Sequence, residues 1–423
     1  MKAAGYKELA VLSTLLAAAM LGTVARGREL GGYFKHFTIG FDNPAAAFSG
    51  GERRVWVSTN RLRLTGQARA TDNLRVHAAW EGVLQWQDPA FPRETLSALS
   101  LAPPPYRVSD PEHVVVPDEP APGKESFLLL HNVDRLNATL RLPNADITAG
   151  RQAVAWGSAL VVNPTDVLAP FSFTTLDQEE RFGVDALRVR VPTGALGEID
   201  TGIVLGPDAD VDTSAFFLRS RQYVRGTDVS ALLMTFRNHL LLGVDASRSV
   251  AGATVRVESA YVDAGFLGAS PTGANPRDYL RLSLAVDRQL DDETYGFVEY
   301  HFSAAGATDP ENYSRVLRDA AFQDGGVYLL GRHYLSAGFS RNLTALTTWR
   351  CTAVHNVADR SLSLNSEVQS NPWQNVYLTV GFHLGLGSEP ETRLDPTGQP
   401  VSRPTSEFGA YSDYLYGALS FYF

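Results

Sequence analysis

The chain has 423 residues, with 37 basic and 46 acidic side chains, nine histidines and one cysteine, Cys351. The net charge of −9 argues against a nucleic-acid partner, and one cysteine excludes an intramolecular disulfide framework. The length would ordinarily mean two or three soluble domains, yet the sequence shows about eighteen short alternating segments and no linker between domains.

Residues 1–25 read as a secretory signal peptide. Lys2 and Lys7 give a positive start, 9–21 is an apolar run too short to span a bilayer comfortably, and Thr23-Val24-Ala25 or Ala25-Arg26-Gly27 offers small residues for a cleavage site. Removing this stretch takes away Lys2, Lys7 and Glu8 and leaves 35 basic and 45 acidic side chains. The rest, 26–423, is expected to be one domain.

The first strands are predicted at 31–42, 53–66 and 73–87. The third alternates most clearly: Arg75, His77, Glu81, Gln85 and Gln87 on one face, Leu74, Val76, Trp80, Leu84 and Trp86 on the other. Its length suits an oblique bilayer crossing of about 9–11 residues. The proline-rich stretch 88–125 is a loop. Strands follow at 133–142 and 147–155, then a long insertion at 156–182. Further strands are expected at 183–191, 197–206, 214–223, 227–237, 239–248, 253–263, 277–289 and 295–303. Residues 309–323 break the rhythm. Asp309 can cap and Pro310 suits a first helical turn, so a short helix in an outer loop is expected there. Strands resume near 328–341, 343–352, 361–370 and 374–386, and 387–407, with four prolines, is the last loop.

Every second connection is short, near 67–72, 143–146, 192–196, 224–227, 249–252, 290–293, 341–343 and 371–374. The long ones all fall on the other side. This arrangement, with an even strand count, predicts an all-β, transmembrane, antiparallel up-and-down barrel of about 18 strands, with 16 as the rival count.

The final stretch, 410–423, ends the chain on Phe423. Leu415, Gly417, Leu419, Phe421 and Phe423 share one face; Tyr414, Tyr416, Ala418, Ser420 and Tyr422 share the other. An open edge of this kind would invite aggregation, whereas a strand that closes a barrel in lipid has no such edge. Here the chain resembles the bacterial outer-membrane β-barrels, whose last strand typically ends in Phe with apolar residues two and four positions earlier. Leu419, Phe421 and Phe423 match that pattern. The resemblance implies that these three residues are the signal read by the barrel assembly machinery, with lipid and that machinery as partners. Tryptophans and tyrosines at Trp80, Trp86, Tyr261, Tyr300, Trp349, Trp373, Tyr377 and Tyr411 fit interfacial girdles.

The third long loop carries the candidate site. Gly150-Arg151-Gln152, Trp156-Gly157 and Asn163-Pro164-Thr165-Asp166 resemble a motif in a porin-like family of mostly unassigned function, which is often associated with lipid-exporting transporters. In general porins the third loop folds into the lumen, so the same is expected here. The loop brings Trp156, Asn163, Asp166, Asp177, Glu179 and Glu180. Arg188, Arg190, Arg256 and Arg281, with Arg135 and Arg141 further round, form the expected basic wall opposite. Fixed charges at a constriction set solute selection. No HExxH, GxSxG or phosphate loop occurs, and no cofactor or metal site is expected; His301 beside Glu299 is the best enzyme candidate, with a lumen-lining histidine as its ordinary reading. The function expected is a porin-like, non-enzymatic outer-membrane channel for small polar or anionic solutes. The alternative is an export or structural barrel working with an inner-membrane transporter.

Overall fold

The computed structural model describes residues 26–42, 53–88, 126–171, 176–394 and 400–423. The expected signal peptide and the proline-rich stretch 89–122 lie outside them. The strands are β1 (Arg26–Asp42), β2 (Arg54–Arg69), β3 (Leu74–Gln87), β4 (Ser126–Arg141), β5 (Asp146–Gln152), β6 (Val184–Pro192), β7 (Glu198–Val204), β8 (Ala215–Val224), β9 (Thr227–Phe236) and β10 (His239–Val250). They continue with β11 (Ala253–Asp263), β12 (Tyr279–Gln289), β13 (Thr294–Ser303), β14 (His333–Thr344), β15 (Thr347–Asn356), β16 (Leu362–Trp373), β17 (Val376–Leu386), the short β18 (Glu391–Leu394) and β19 (Pro400–Arg403), and β20 (Asp413–Tyr422).

Eighteen of these form one sheet in which each strand pairs antiparallel with its chain neighbour, and β20 pairs with both β17 and β1. The sheet therefore closes. Phe423 seals the seam from both sides of its peptide: its N–H donates to the Gly32 carbonyl at 3.0 Å, and its carbonyl accepts from the Gly32 N–H at 2.9 Å. Closure satisfies every edge, which a bilayer interior demands.

The predicted short turns all recur between β2–β3, β4–β5, β6–β7, β8–β9, β10–β11, β12–β13, β14–β15 and β16–β17. Arg225-Gly226 and Ala251-Gly252 hold φ of 50°, 84° and 51°, 80°, the paired left-handed conformation whose twist matches a two-residue hairpin. The hairpin at 214–237, which made 16 strands the rival count, is a regular pair of barrel strands.

Several boundaries differ from expectation: β1 begins at Arg26 rather than 31, β4 at Ser126 rather than 133, and β15 at Thr347 rather than 343. The strand expected to run to 155 stops at Gln152, and the one expected from 328 starts at His333, where 328–332 fold back beside 307. The helix of 309–323 splits into α1 (Tyr313–Val316) and α2 (Ala320–Gln323), with Asp309 capping the turn before them. Asn275 interrupts it by bonding the Arg318 carbonyl and the Ala320 N–H. The last loop contains the β18–β19 hairpin, which the prolines had concealed.

The faces run as a membrane barrel requires. Along β12, Leu280, Leu284 and Val286 are exposed, while Arg281, Ser283 and Asp287 are buried. Leu419, Phe421 and Phe423 stand on the outer face, as do the exposed Tyr261, Trp349 and Trp373. Two residues assigned to the girdle are elsewhere: Tyr377 lines an interior space, and Tyr411 packs on Phe408 under the last loop.

The long loops are tied together by a buried polar cluster. Glu407 accepts from the Leu330 N–H at 2.9 Å, from Asn356 Nδ2 at 2.7 Å and from the Tyr334 hydroxyl. Burial pushes its carboxyl up to about 7, against the lowering effect of those donors.

Two outcomes follow from this fold. Val380, near the middle of β17, is exposed on the outer face, and Thr379 beside it points inward. Val380→Arg should cost about 2–4 kcal/mol near the bilayer midplane, and Thr379→Arg much less, in unfolding from lipid vesicles; equal costs would mean that the faces are inverted. For Glu407, the folded state holds a proton that the unfolded chain releases nearer 4.5. Its contribution therefore grows as pH falls from above 7 toward 4.5 and is lost as pH rises. Amide exchange around 330 and 407, corrected for intrinsic rates, should be slower at pH 5.5 than at 7.5, and Glu407→Gln should remove the difference.

Candidate functional site

After β5 the described residues 153–171 and 176–183 carry no helix or strand before β6 begins. A backbone without a ladder still needs partners for its N–H and C=O groups. Here the inward face of the sheet supplies them. Glu258 on β11 accepts from the N–H groups of Ser158 and Ala159 at 2.7 and 2.9 Å with one oxygen, and from the Thr165 N–H and hydroxyl at 2.9 and 2.7 Å with the other. Glu299 on β13 accepts from Leu160, Val161 and Val162 at 2.6, 3.1 and 2.9 Å. Between them on β12, Ser283 donates to the Val162 carbonyl at 2.7 Å and Arg281 to the Pro164 carbonyl at 2.5 Å. Both glutamates are fully buried.

Register explains why these groups converge. Glu258 lies opposite Ser283, and Ala285 lies opposite Glu299, so the four side chains stand at similar height on three adjacent strands. Two glycines make the approach possible. A Cβ on Gly243 would come within 2.7 Å of Thr165, and one on Gly157, whose φ is +122°, within 2.3 Å of Asn163 Oδ1. Apolar contacts complete the docking. Val154, Trp156, Val167 and Leu168 form one buried cluster with Phe217, Met234, Phe236, Leu241 and Val262 of the sheet.

The inward face of β8–β12 is thus apolar toward its long-loop end, where an evenly polar lumen face was expected. The enzyme candidate is also occupied otherwise: Glu299 holds loop amides, and His301 Nδ1 lies 2.8 Å from the Ser283 hydroxyl.

The predicted acids meet different partners from those expected. Asp177 pairs with Lys35 of β1 at 2.9 Å and Arg61 of β2 at 3.0 Å. Glu179 pairs with Lys35 at 2.5 Å and accepts from the Tyr422 hydroxyl at 2.6 Å. Glu180 sits 3.5 Å from Arg63 and 3.4 Å from Arg135. Asp166 pairs within the loop, with Arg181 at 2.5 Å. Burial raises the Asp166 carboxyl to about 6, against that guanidinium, while Arg61 and Lys35 hold Asp177 below the usual carboxylate range.

The arginines of the expected opposing wall are engaged too. Arg188 grips Asp200 at 2.8 and 2.6 Å, and Trp156 Nε1 donates to the same carboxylate at 3.1 Å. Arg190 lies 3.8 Å from Asp146, Arg256 bonds Asp287 at 2.7 Å, and Arg281 holds the loop carbonyl. A field between loop acids and these four arginines is therefore not what the geometry gives. The loop instead has two anchors, one on β11–β13 and one on β1, β2 and β4.

Sequence reasoning did not place Glu258, Ser283, Lys35 or Arg61 against the loop, and it raised Glu299 only as the neighbour of His301 in the enzyme candidate. Their pairing register was the missing information.

Beside the loop lies a space of about 1210 Å³, lined by Trp156, Asn163 and Phe171 of the loop and by inward residues of β1, β15, β16, β17 and β20. Among the described residues no group of three or more histidine, cysteine or acidic side chains is placed to hold a metal ion.

No protein-family model matches the chain, and no curated protein sequence does. Solved structures do. The outer membrane protein OprD of Pseudomonas aeruginosa aligns over 94% of this chain and 93% of its own, with a TM-score of 0.53 and 8% identity. OccK5 (OpdH) of the same organism covers 94% and 98%, at 0.55 and 8%, and OccAB2 of Acinetobacter baumannii 95% and 99%, at 0.54 and 9%. At such identities the likeness is one of fold: an eighteen-stranded closed barrel of the outer-membrane porin type.

Proposed function

We propose that the chain is a bacterial outer-membrane channel for passive passage of small polar solutes, with the described parts of the loop after β5, 156–171 and 176–182, as its constriction. One observation carries this reading. The segment is anchored by buried side chains on β11–β13 and by ion pairs on β1 and β2, parts of the wall that lie far apart around the closed ring. A segment bound to both walls has to cross between them. The space of about 1210 Å³ on its open side is the route that remains. The likeness to outer-membrane porin structures supports the membrane and the transport class, and nothing in the geometry favours the export reading.

Charge selection is placed at the short-turn mouth. Arg69 and Arg75 face each other across β2 and β3, and Arg141 follows on β4. None of the three has an ion pair among the described residues, whereas Arg188, Arg256 and the loop acids are neutralised. Unpaired cations at a mouth favour anions.

In planar bilayers, deleting 158–171 should raise single-channel conductance at least about twofold, because the constriction sets the current. Arg75→Gln with Arg141→Gln should move the reversal potential toward cations and leave the conductance near its original value. An intact barrel that carries no current would overturn the proposal.

A further inference from the structure

The open side of the interior is aromatic and charge-neutral, and it points to a substrate class. Tyr414, Tyr416 and Tyr422 of β20 and Tyr377 of β17 all line the space. From Tyr414 to Tyr422 the strand advances eight residues, about 27 Å at ~3.4 Å per residue, so the rings are spread along most of one crossing. Their positions are fixed. Tyr416 donates to Glu367 at 2.6 Å and Tyr422 to Glu179 at 2.6 Å. Tyr377 meets Tyr422 edge-on at 5.6 Å, and Tyr414 stacks on His383 at 4.9 Å.

The charged groups in the lining cancel in pairs. Lys35 and Arg61 are met by Asp177 and Glu179, Arg350 by Glu367 at 2.8 Å, and Arg181 by Asp166. What remains is hydrogen-bonding amide and hydroxyl groups, such as Asn365, Gln369 and Thr379 beside the rings. A solute suited to this wall has apolar ring faces, a rim of hydroxyls and no charge.

Resting on the channel reading, we propose that this tyrosine wall is a binding track for uncharged sugars and glycosides. The faces of a pyranose ring carry C–H groups that stack on aromatic rings, while its hydroxyls bond to amides and carboxylates. The space exceeds the about 300–1,000 Å³ of an ordinary ligand site, which suits a chain of rings passing from one tyrosine to the next rather than one tightly held molecule. The mouth arginines act on ion currents and the tyrosines on the solute, so the two selections are separate.

The test uses the full-length purified protein and two readouts: calorimetric binding of maltotriose in detergent, and block of ion current by maltotriose in planar bilayers. Sorbitol, which has hydroxyls but no ring face, is the control. Maltotriose should bind and interrupt the current, and sorbitol should do neither at equal concentration. Tyr377→Ala and Tyr414→Ala should each weaken maltotriose binding about tenfold, the effect of losing one good aromatic contact. Tyr377→Phe, which keeps the ring, should stay within about twofold. Heat-modifiable mobility on gels reports that each variant still forms the barrel. Current without sugar binding overturns the track and leaves the channel standing. Sugar binding without current supports the track and overturns the channel. Equal binding of sorbitol, or equal losses in Tyr377→Ala and Tyr377→Phe, overturns ring stacking as the cause.

Discussion

Two glutamates hold this interior together. Glu258 and Glu299 are fully buried acceptors on the inward face of the barrel, and the N–H groups of Ser158, Ala159, Leu160, Val161, Val162 and Thr165 are their donors. Each requires the other. A buried carboxylate without donors carries a heavy desolvation cost, and an irregular backbone buried without acceptors is equally costly. Successive amides turned toward one oxygen form an anion-binding concavity of the kind seen at many phosphate sites. Here the anion belongs to the wall, so the concavity fixes the loop to the barrel.

That docking divides the interior. On the side of β8–β12 the loop brings Trp156, Val167 and Leu168 onto Phe217, Met234 and Leu241, and the result is a packed core. On the side of β15, β16, β17, β20 and β1 the same loop leaves a space of about 1210 Å³. The ion pairs of Asp177 and Glu179 with Lys35 and Arg61 hold its far end. Geometry and charge are thus coupled. The acids that could have lined a strongly charged pore are used to position the loop, and neutral aromatic and amide groups line the space that remains.

Much of the barrel was legible in the sequence because the period of two is a local property. Leu280, Leu282, Leu284 and Val286 against Arg281, Ser283 and Asp287 define a strand and its faces with no knowledge of its neighbours, and short turns such as Ala251-Gly252 set the rhythm. The third loop announced itself by length and by its glycines, prolines and apolar residues. Its partners were not legible. Whether Asp177 meets Arg188 or Lys35 depends on where the chain lies across a ring of strands, and Lys35 is 142 residues away. Tyr377 was misassigned to a girdle for the same reason: one strand shows alternation, but which face is inner follows from closure of the whole sheet.

We infer that the two glutamates hold the loop in the path that solutes would take through the barrel. The most direct measurement is the single-channel conductance of the Glu258→Gln, Glu299→Gln double variant in planar bilayers, with heat-modifiable mobility confirming that the barrel forms. A carboxamide offers one acceptor where the carboxylate offered two, and its NH₂ faces N–H donors, so the loop should lose its anchor on β11–β13. Conductance should then rise well above that of the unaltered protein and become noisier as the freed loop samples the lumen. A double variant that assembles normally and conducts with the same amplitude and noise would contradict the account.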